Sequence, residues 1–312
     1  MAARGACYPW SGQEGCFDLS GGAVLCAGSG QDAEFRPGRP WPVVRFEAAG
    51  EFLALDRLTG LAWPRDASAA GWPMTWDEAL TWLEERNREG WLGFADWRLP
   101  RRRELLALVS LAHARPALPP GHLFRNLFQH WHWTATLAAN APGYRWRVHL
   151  EGGRMFPGPQ GATHMILPVH GASWLPGETP QEARVLGRPW PEPRFETSGD
   201  EALDRLTGLV WSRRVLPGQG EVTWQEASDT AAGSGGWRLP TIWELESLVD
   251  TSRAWPALAP DHPFGQVLDG VWSSTSSGYD HAWAWVLYFG KGAVGVGHKP
   301  GKHFKFLLTS KE

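Results

Sequence analysis

The feature that most constrains this chain is a four-residue block that occurs twice, as Trp97-Arg98-Leu99-Pro100 and as Trp237-Arg238-Leu239-Pro240. Each block is followed, at the fourth position after the proline, by Glu104 or Glu244, and then by leucines at helical spacing. Several such pairs at a steady offset mark a duplicated structural unit. Trp41-Pro42 with Arg45-Phe46 matches Trp190-Pro191 with Arg194-Phe195. Leu55-Asp56-Arg57-Leu58-Thr59-Gly60-Leu61 matches Leu203-Asp204-Arg205-Leu206-Thr207-Gly208-Leu209, and Thr75-Trp76 with Glu78-Ala79 matches Thr223-Trp224 with Glu226-Ala227. Further along, Trp133 pairs with Trp272 and His164 with His303, and the first copy carries an insertion just before its Trp97 block.

Each repeat reads as the same series of elements. The Leu-Asp-Arg-Leu-Thr-Gly-Leu stretch sets apolar residues on both sides of a Thr-Gly reversal and predicts a hairpin. Thr75-x-x-Glu78 and Thr223-x-x-Glu226 are capping boxes that start a first helix, which runs to about Arg88 in one copy and ends near Gly233, Gly235 and Gly236 in the other. A second helix follows the Trp-Arg-Leu-Pro block. Thr241-x-x-Glu244 caps it in the second copy, but the first copy has Arg101 there, a loss worth about 1 kcal/mol. Strand patterns fill the last third: Ala282 to Phe289, Ala293 to Gly297 and His303 to Leu308 in the second copy, Arg145 to Leu150 and His164 to Val169 in the first. The expected fold is α+β, each repeat having two short helices beside a small, mostly antiparallel sheet with long loops. The expected organisation is an irregular Cys-containing leader over 1–40 that packs on the first repeat, a first domain over 41–170, a Pro- and Gly-containing linker over 171–189, and a second domain over 190–310.

The chain carries 21 Trp against 4 Tyr. Trp brings a large apolar face and one N–H that needs a partner, which suits compact domains held by aromatic clusters and also suits sugar-binding surfaces. Roughly four in five are expected in cores. A net charge of −3 gives no general support to a nucleic-acid partner. The one basic run, Arg101-Arg102-Arg103, is expected to be a solvated helix face. No stretch approaches the roughly 20 apolar residues of a membrane span. Cys7, Cys16 and Cys26 crowd into one short segment. Cys16 with Cys26 is the preferred disulfide, since Ser20-Gly21-Gly22 between them lets the chain reverse. That bond belongs to an oxidising compartment, yet Met1 to Trp10 has no apolar core of a secretory signal. Either the original start is elsewhere or the thiols stay reduced.

Taken in order, several blocks resemble the Lcl C-terminal domain, named after a collagen-like bacterial adhesin. They are Asp-x-Leu-Thr-Gly-Leu-x-Trp, Thr-Trp-x-Glu-Ala, Trp-Arg-Leu-Pro-x-x-x-Glu-Leu-x-x-Leu-Val, Trp272-Ser273-Ser274-Thr275, Ala282-Trp283 and a Gly-x-Gly hairpin ending near Lys299. The resemblance covers both repeats, and Cys16, Cys26 and Gly28-Ser29-Gly30-Gln31-Asp32 resemble the segment that often precedes that domain. It implies a C-type-lectin-like or closely related fold, a surface-exposed or exported bacterial protein, adhesion to sulfated glycosaminoglycans, and kinship with the variable binding proteins of diversity-generating retroelements. It implies no enzymatic activity and no cofactor. The first copy reads Trp133-Thr134-Ala135-Thr136 and lacks the family's aromatic and Lys positions in its last strands, so the second copy is the better candidate for binding.

Ser273, Ser274 and His281 lie close in sequence but lack the elbow and acidic partner that an activated nucleophile needs, so no catalytic residue is assigned. His130-x-His132 and Asp261-His262 lack the Cys or carboxylate that would complete a metal set. Calcium through Asp200, Glu201 and Asp204 stays open, but solvated carboxylates beside a hairpin are several times more common, and no metal is assigned. Binding candidates lie on the C-terminal loops of the second copy. Tyr279, Asp280, His281 and Trp283 are polar and aromatic, while His298, Lys299, Lys302 and Lys305 add positive charge in a stretch without acidic residues. A sulfated or acidic glycan, or a host or surface protein, is the expected partner. Lysines that protect a sheet edge explain the same charges without any ligand, which leaves open a structural module that assembles into an oligomer. Trp97, Arg98 and Glu104, like Trp237, Arg238 and Glu244, are assigned a structural role: the Trp anchors the core, and the Arg bonds to backbone or to the nearby Glu. The expected location is extracytoplasmic.

Overall fold

The computed structural model describes residues 7–186, 189–216, 220–265, 269–302, 304 and 307–310. Contacts divide the chain into two compact units, Trp41–Leu175 and a unit made of Met1–Pro40 with Pro176–Glu312. The leader therefore belongs with the second repeat rather than the first, a correction to what its place in the chain suggests.

In the leader, β1 (Cys16–Phe17) and β2 (Ala23–Val24) pair antiparallel. Asp18 builds the reversal between them by accepting from Ser20 N, Ser20 Oγ and Gly22 N. A disulfide joins Cys16 to Cys26, and α1 (Asp32–Phe35) is a single turn.

The first repeat opens with β3 (Phe46–Ala49), β4 (Leu53–Asp56) and β5 (Leu61–Pro64), a three-stranded antiparallel sheet. The β4–β5 turn has a chemical cause. Asp56 accepts from Leu58 N and Thr59 Oγ1, closing the turn, and Gly60 supplies the positive φ of 81° that a side chain would resist. Arg45 then donates to both oxygens of Asp56 at 3.0 and 3.1 Å and to Ala107 O, while its guanidinium lies 4.7 Å from the Trp41 ring. The two most N-terminal matching blocks of the repeat are thus the two halves of one buried ion pair. After α2 (Trp76–Arg88), which starts at the Thr75–Glu78 capping box, come α3 (Arg102–Leu108) and a meander of β6 (Trp131–Leu137), β7 (Tyr144–His149) and β8 (Met155–Pro159). Residues 164–169 form isolated bridges, to Met74, His132 and Arg98, rather than the expected strand.

The segment expected to be a bare linker contains α4 (Pro180–Val185), whose Thr179 accepts from Glu182 N. The second repeat then repeats the plan with β9 (Phe195–Ser198), β10 (Glu201–Asp204), β11 (Val210–Ser212), α5 (Trp224–Gly233), β12 (Trp237–Arg238) and α6 (Ile242–Ser247). Its meander is β13 (Gly270–Ser276), β14 (Trp283–Tyr288) and β15 (Ala293–His298). β16 (Thr309–Ser310) closes a five-stranded antiparallel sheet in the order β12-β16-β11-β10-β9; most of the strand expected over His303 to Leu308 lies outside the described residues. Arg194 donates to Asp204 at 3.0 and 2.7 Å and to Ser247 O, 4.7 Å from the Trp190 ring, as Arg45 does in the first repeat.

Each unit is therefore α+β, with few helices and small antiparallel sheets. Their cores centre on Trp97 and Trp133 in one repeat and on Trp224 and Trp272 in the other. Ten of the 21 tryptophans are buried, fewer than expected, and Trp72 and Trp255 are exposed; the others are half-buried, several of them packed against those cores. The basic run is not a solvated face. Arg101, Arg102 and Arg103 are 9%, 0% and 2% exposed, and the Arg102 guanidinium lies 4.4 Å from the Trp146 ring. Among the described residues no helix is long and apolar enough to cross a membrane.

Candidate binding surface

The Trp-Arg-Leu-Pro block is a joint in both repeats. Arg98 donates to the two oxygens of Glu104 at 2.7 and 3.0 Å, and Arg238 to those of Glu244 at 2.7 and 2.6 Å. Such forked pairs fix the guanidinium plane. The same carboxylate accepts the N–H of Arg101 or Thr241, at 2.8 and 2.7 Å, and so ties the block to the start of the second helix. Burial alone would raise the pKa of Glu104, but the hydrogen bond from Arg98 and the charges of Arg101 and Arg98 hold it below the usual carboxylate range. Thr241 Oγ1 completes its box by accepting from Glu244 N. Arg101 has no acceptor atom to offer; its guanidinium instead bonds to Glu104, Ser173 Oγ and Leu175 O.

What closes over the joint differs between the repeats. In the first, the chain that follows does so: Arg98 donates to Gly171 O, and Ser173 Oγ donates to Glu104 Oε1. In the second, the leader does so. The Tyr8 hydroxyl donates to Glu244 Oε1 at 3.0 Å, and Arg238 lies 5.2 Å from the Phe35 ring. Thr275 Oγ1 donates to the buried Asp32 at 2.6 Å. Burial pushes Asp32 up to about 6, against the hydrogen bonds from Thr275 and Ser11.

The leader continues across the C-terminal loops of the second repeat. Gln13 donates to Ser276 O at 2.7 Å, and the Phe17 ring stacks on His281 at 3.6 Å. Lys299 Nζ donates to Phe17 O and Asp18 O at 3.1 and 3.2 Å and sits 4.4 Å from the Trp224 ring. Lys299 is 0% exposed, and burial pushes it down to about 8 against the opposing charges of Asp18 and Asp280. It fastens the leader and is not a surface ligand-binding group, which corrects the sequence assignment. His281 is half covered by Phe17, and burial together with the Lys299 charge lowers its pKa.

The remaining candidates stay near the surface but not as one basic cluster. Tyr279 is 47% exposed and Asp280 is exposed, with Asp280 Oδ1 accepting from Ala282 N. Trp283 on β14 faces the exposed His298 on β15, with ring centroids 5.2 Å apart. Lys302 is paired with Glu226 at 3.1 Å. Lys305 lies outside the described residues. Sequence reasoning missed Gln13 and Phe17, which lie against this surface although they are distant in the chain; the clustering of Cys16 and Cys26 was a hint of an ordered leader but not of these contacts.

Other polar groups are accounted for differently. Ser273 Oγ donates to Trp285 O inside β13, and Asp204, read as a solvated carboxylate, is buried against Arg194. Among the described residues no group of three or more His, Cys, Asp or Glu is placed to hold a metal ion. The first repeat gathers four histidines around the β6–β7 ladder, with His132 and His149 on its strands, His130 just before β6 and His164 on the bridging segment. The rings of His149 and His164 lie 5.3 and 6.4 Å from that of His130, and Arg147 bonds to His164 Nε2. Burial pushes His132, His149 and His164 each down to about 4, helped by neighbouring histidines and, for the last two, by Arg154 and Arg147. The register of the second meander places Val271 and Tyr288 where the first has His132 and His149.

The sequence pattern of the Lcl C-terminal domain matches residues 53–170 and 201–308, one region in each repeat. No curated protein matches the chain.

Proposed function

The chain belongs to the Lcl C-terminal domain family through both of its repeats, and from that membership we propose a non-enzymatic, extracytoplasmic binding protein of two tandem C-type-lectin-like domains, the second recognising an acidic or sulfated glycan. The observation that carries this reading is the Trp283–His298 cross-strand pair, with the exposed Tyr279 in the loop that leads into β14, an aromatic and imidazole edge on a paired strand scaffold. Aromatic faces stack on sugar rings, the His298 imidazole offers a hydrogen-bonding group, and Lys302 supplies positive charge. The Lys302–Glu226 pair is solvent-exposed, with side chains 63% and 45% accessible, and pairs of that kind contribute little, so an anionic ligand can displace Glu226. The Cys16–Cys26 bond supports an oxidising compartment. The non-enzymatic part is supported by the Ser273 hydroxyl, which is committed to Trp285 O rather than to a base.

The test is retention of the full chain on immobilised heparin. Wild type should bind at low salt, and Trp283→Ala and the double variant His298→Ala/Lys302→Ala should elute earlier. No retention at low salt, or unchanged elution of the double variant, overturns the reading.

A further inference from the structure

A cleft of about 250 Å³ opens between the leader and α5 of the second repeat, with Glu34 and Phe35 on one wall and Ala231, Ala232, Trp237 and Arg238 on the other. The first repeat shows what normally fills the space beside this tryptophan. There, the insertion that precedes Trp97 brings Trp91 and Phe94 to ring-centroid distances of 5.0 and 6.1 Å from Trp97, and the Trp97 indole N–H donates to Trp91 O at 2.8 Å. The second repeat lacks that insertion. Its chain runs from the end of α5 through Gly235 and Gly236 straight into Trp237. Trp237 is half-buried, and its indole N–H has no partner among the described residues. Arg238 Nε is buried and likewise without one there.

The leader does not plug this space but shapes it. Glu34 accepts from Gly28 N and Gly30 N, both at 2.7 Å, so its carboxylate is held in place at the cleft wall. Two carboxylate oxygens offer about four acceptor sites, and these bonds leave capacity unused. The cleft therefore combines a tryptophan face, an indole donor and a fixed carboxylate acceptor. Its volume lies below the roughly 300–1,000 Å³ of drug-sized sites, which limits the occupant to about one ring.

We propose that this cleft binds a single uncharged pyranose unit, its apolar face on Trp237, a ring or hydroxyl oxygen accepting from the Trp237 indole, and a hydroxyl donating to Glu34. A pyranose matches this lining because it presents one apolar face and a rim of groups that both donate and accept. A sulfated or carboxylated sugar is disfavoured by the Glu34 charge. The residues lining this cleft are distinct from Trp283, His298, Tyr279 and Lys302 of the proposed anionic-glycan surface.

Saturation-transfer NMR on the full chain, with methyl α-glucoside, methyl β-galactoside and N-acetylglucosamine as probes, tests the assignment. At least one probe should receive saturation. Glu34→Gln should weaken that binding by about tenfold, since it replaces a hydrogen bond to a charged group by a neutral one and, an amide nitrogen being unable to accept, breaks one of the two backbone bonds that fix the side chain. Ala232→Phe, at an exposed helix position, should fill the cleft and abolish the signal while leaving heparin retention and the unfolding midpoint unchanged. Absence of transfer to every probe in wild type, or transfer that survives in Ala232→Phe, overturns the proposal. Loss of heparin retention alone would count against the Trp283–His298 surface and not against this cleft.

Discussion

The two repeats are the same machine completed by different parts. Both use an arginine from the first block to grip the aspartate of the hairpin turn, and both use the Trp-Arg-Leu-Pro arginine to hold the glutamate that begins the second helix. The first repeat then covers its joint with its own insertion and with residues 171–175, whereas the second borrows the leader. What is duplicated is thus the buried charge chemistry, and what has diverged is the covering. The comparison breaks most visibly at the shared part. Arg45→Ala or Arg194→Ala leaves a buried aspartate without its partner, which typically costs about 3–5 kcal/mol. Hydrogen exchange should show each substitution destabilising its own repeat by a similar amount. A large loss in one repeat and a negligible one in the other would mean that the two pairs are not equivalent.

Acid should act unequally on the two units. In the first repeat His132, His149 and His164 are held near 4, below their unfolded value near 6.5, so the unfolded chain takes up protons first as pH falls. Their stabilisation is complete above about 6.5 and is lost down to about 4, on the order of 3 kcal/mol for His132 alone. In the other unit Asp32 is raised to about 6 from 3.8. The folded state then binds the extra proton, so the leader docks most firmly below about 4 and loses that contribution as pH rises through 6. Exchange measured from pH 7 to 4.5 should show the first repeat loosening more than the segment from Tyr8 to Phe35, where the gain from Asp32 opposes the loss from the lowered His281 under Phe17. Parallel loosening of both would refute the contrast.

The parts of this fold that were legible in the sequence are those whose chemistry is local. A capping box is a threonine and a glutamate three positions apart, and the Thr75, Thr223 and Thr241 boxes all form as that spacing requires. The Arg238–Glu244 pair and the hairpin at Asp204 are nearly as local. What was illegible depends on partners far along the chain. Charged residues are almost never fully buried unless paired, so Lys299 and the Arg101 to Arg103 run read as surface groups, and nothing in the sequence marked Asp32 as buried. Lys299 is buried because two carbonyls of the leader reach it, and Asp32 because Thr275 does. No periodicity announces contacts of that separation. The candidate surface was only half legible for the same reason: Trp283 and His298 are cross-strand neighbours in one hairpin, whereas the leader that covers His281 comes from the other end of the chain.

The smallest and most discriminating test concerns the helix caps. Thr241→Ala removes one hydroxyl acceptor and should cost about 1 kcal/mol, read from the denaturation midpoint. If Arg101 were simply a lost cap, Arg101→Thr would restore that amount to the first repeat. The guanidinium, however, bonds to Glu104, Ser173 Oγ and Leu175 O, holding residues 173–175 over the joint. Each such bond is worth about 0.5–1.5 kcal/mol net, and threonine is too short to replace any of them. The expected outcome is a net loss of about 1 kcal/mol, with faster exchange at residues 171–175. Stabilisation by Arg101→Thr would mean that the covering segment holds without Arg101, and that the first repeat has drifted rather than exchanged a local cap for a long-range clamp.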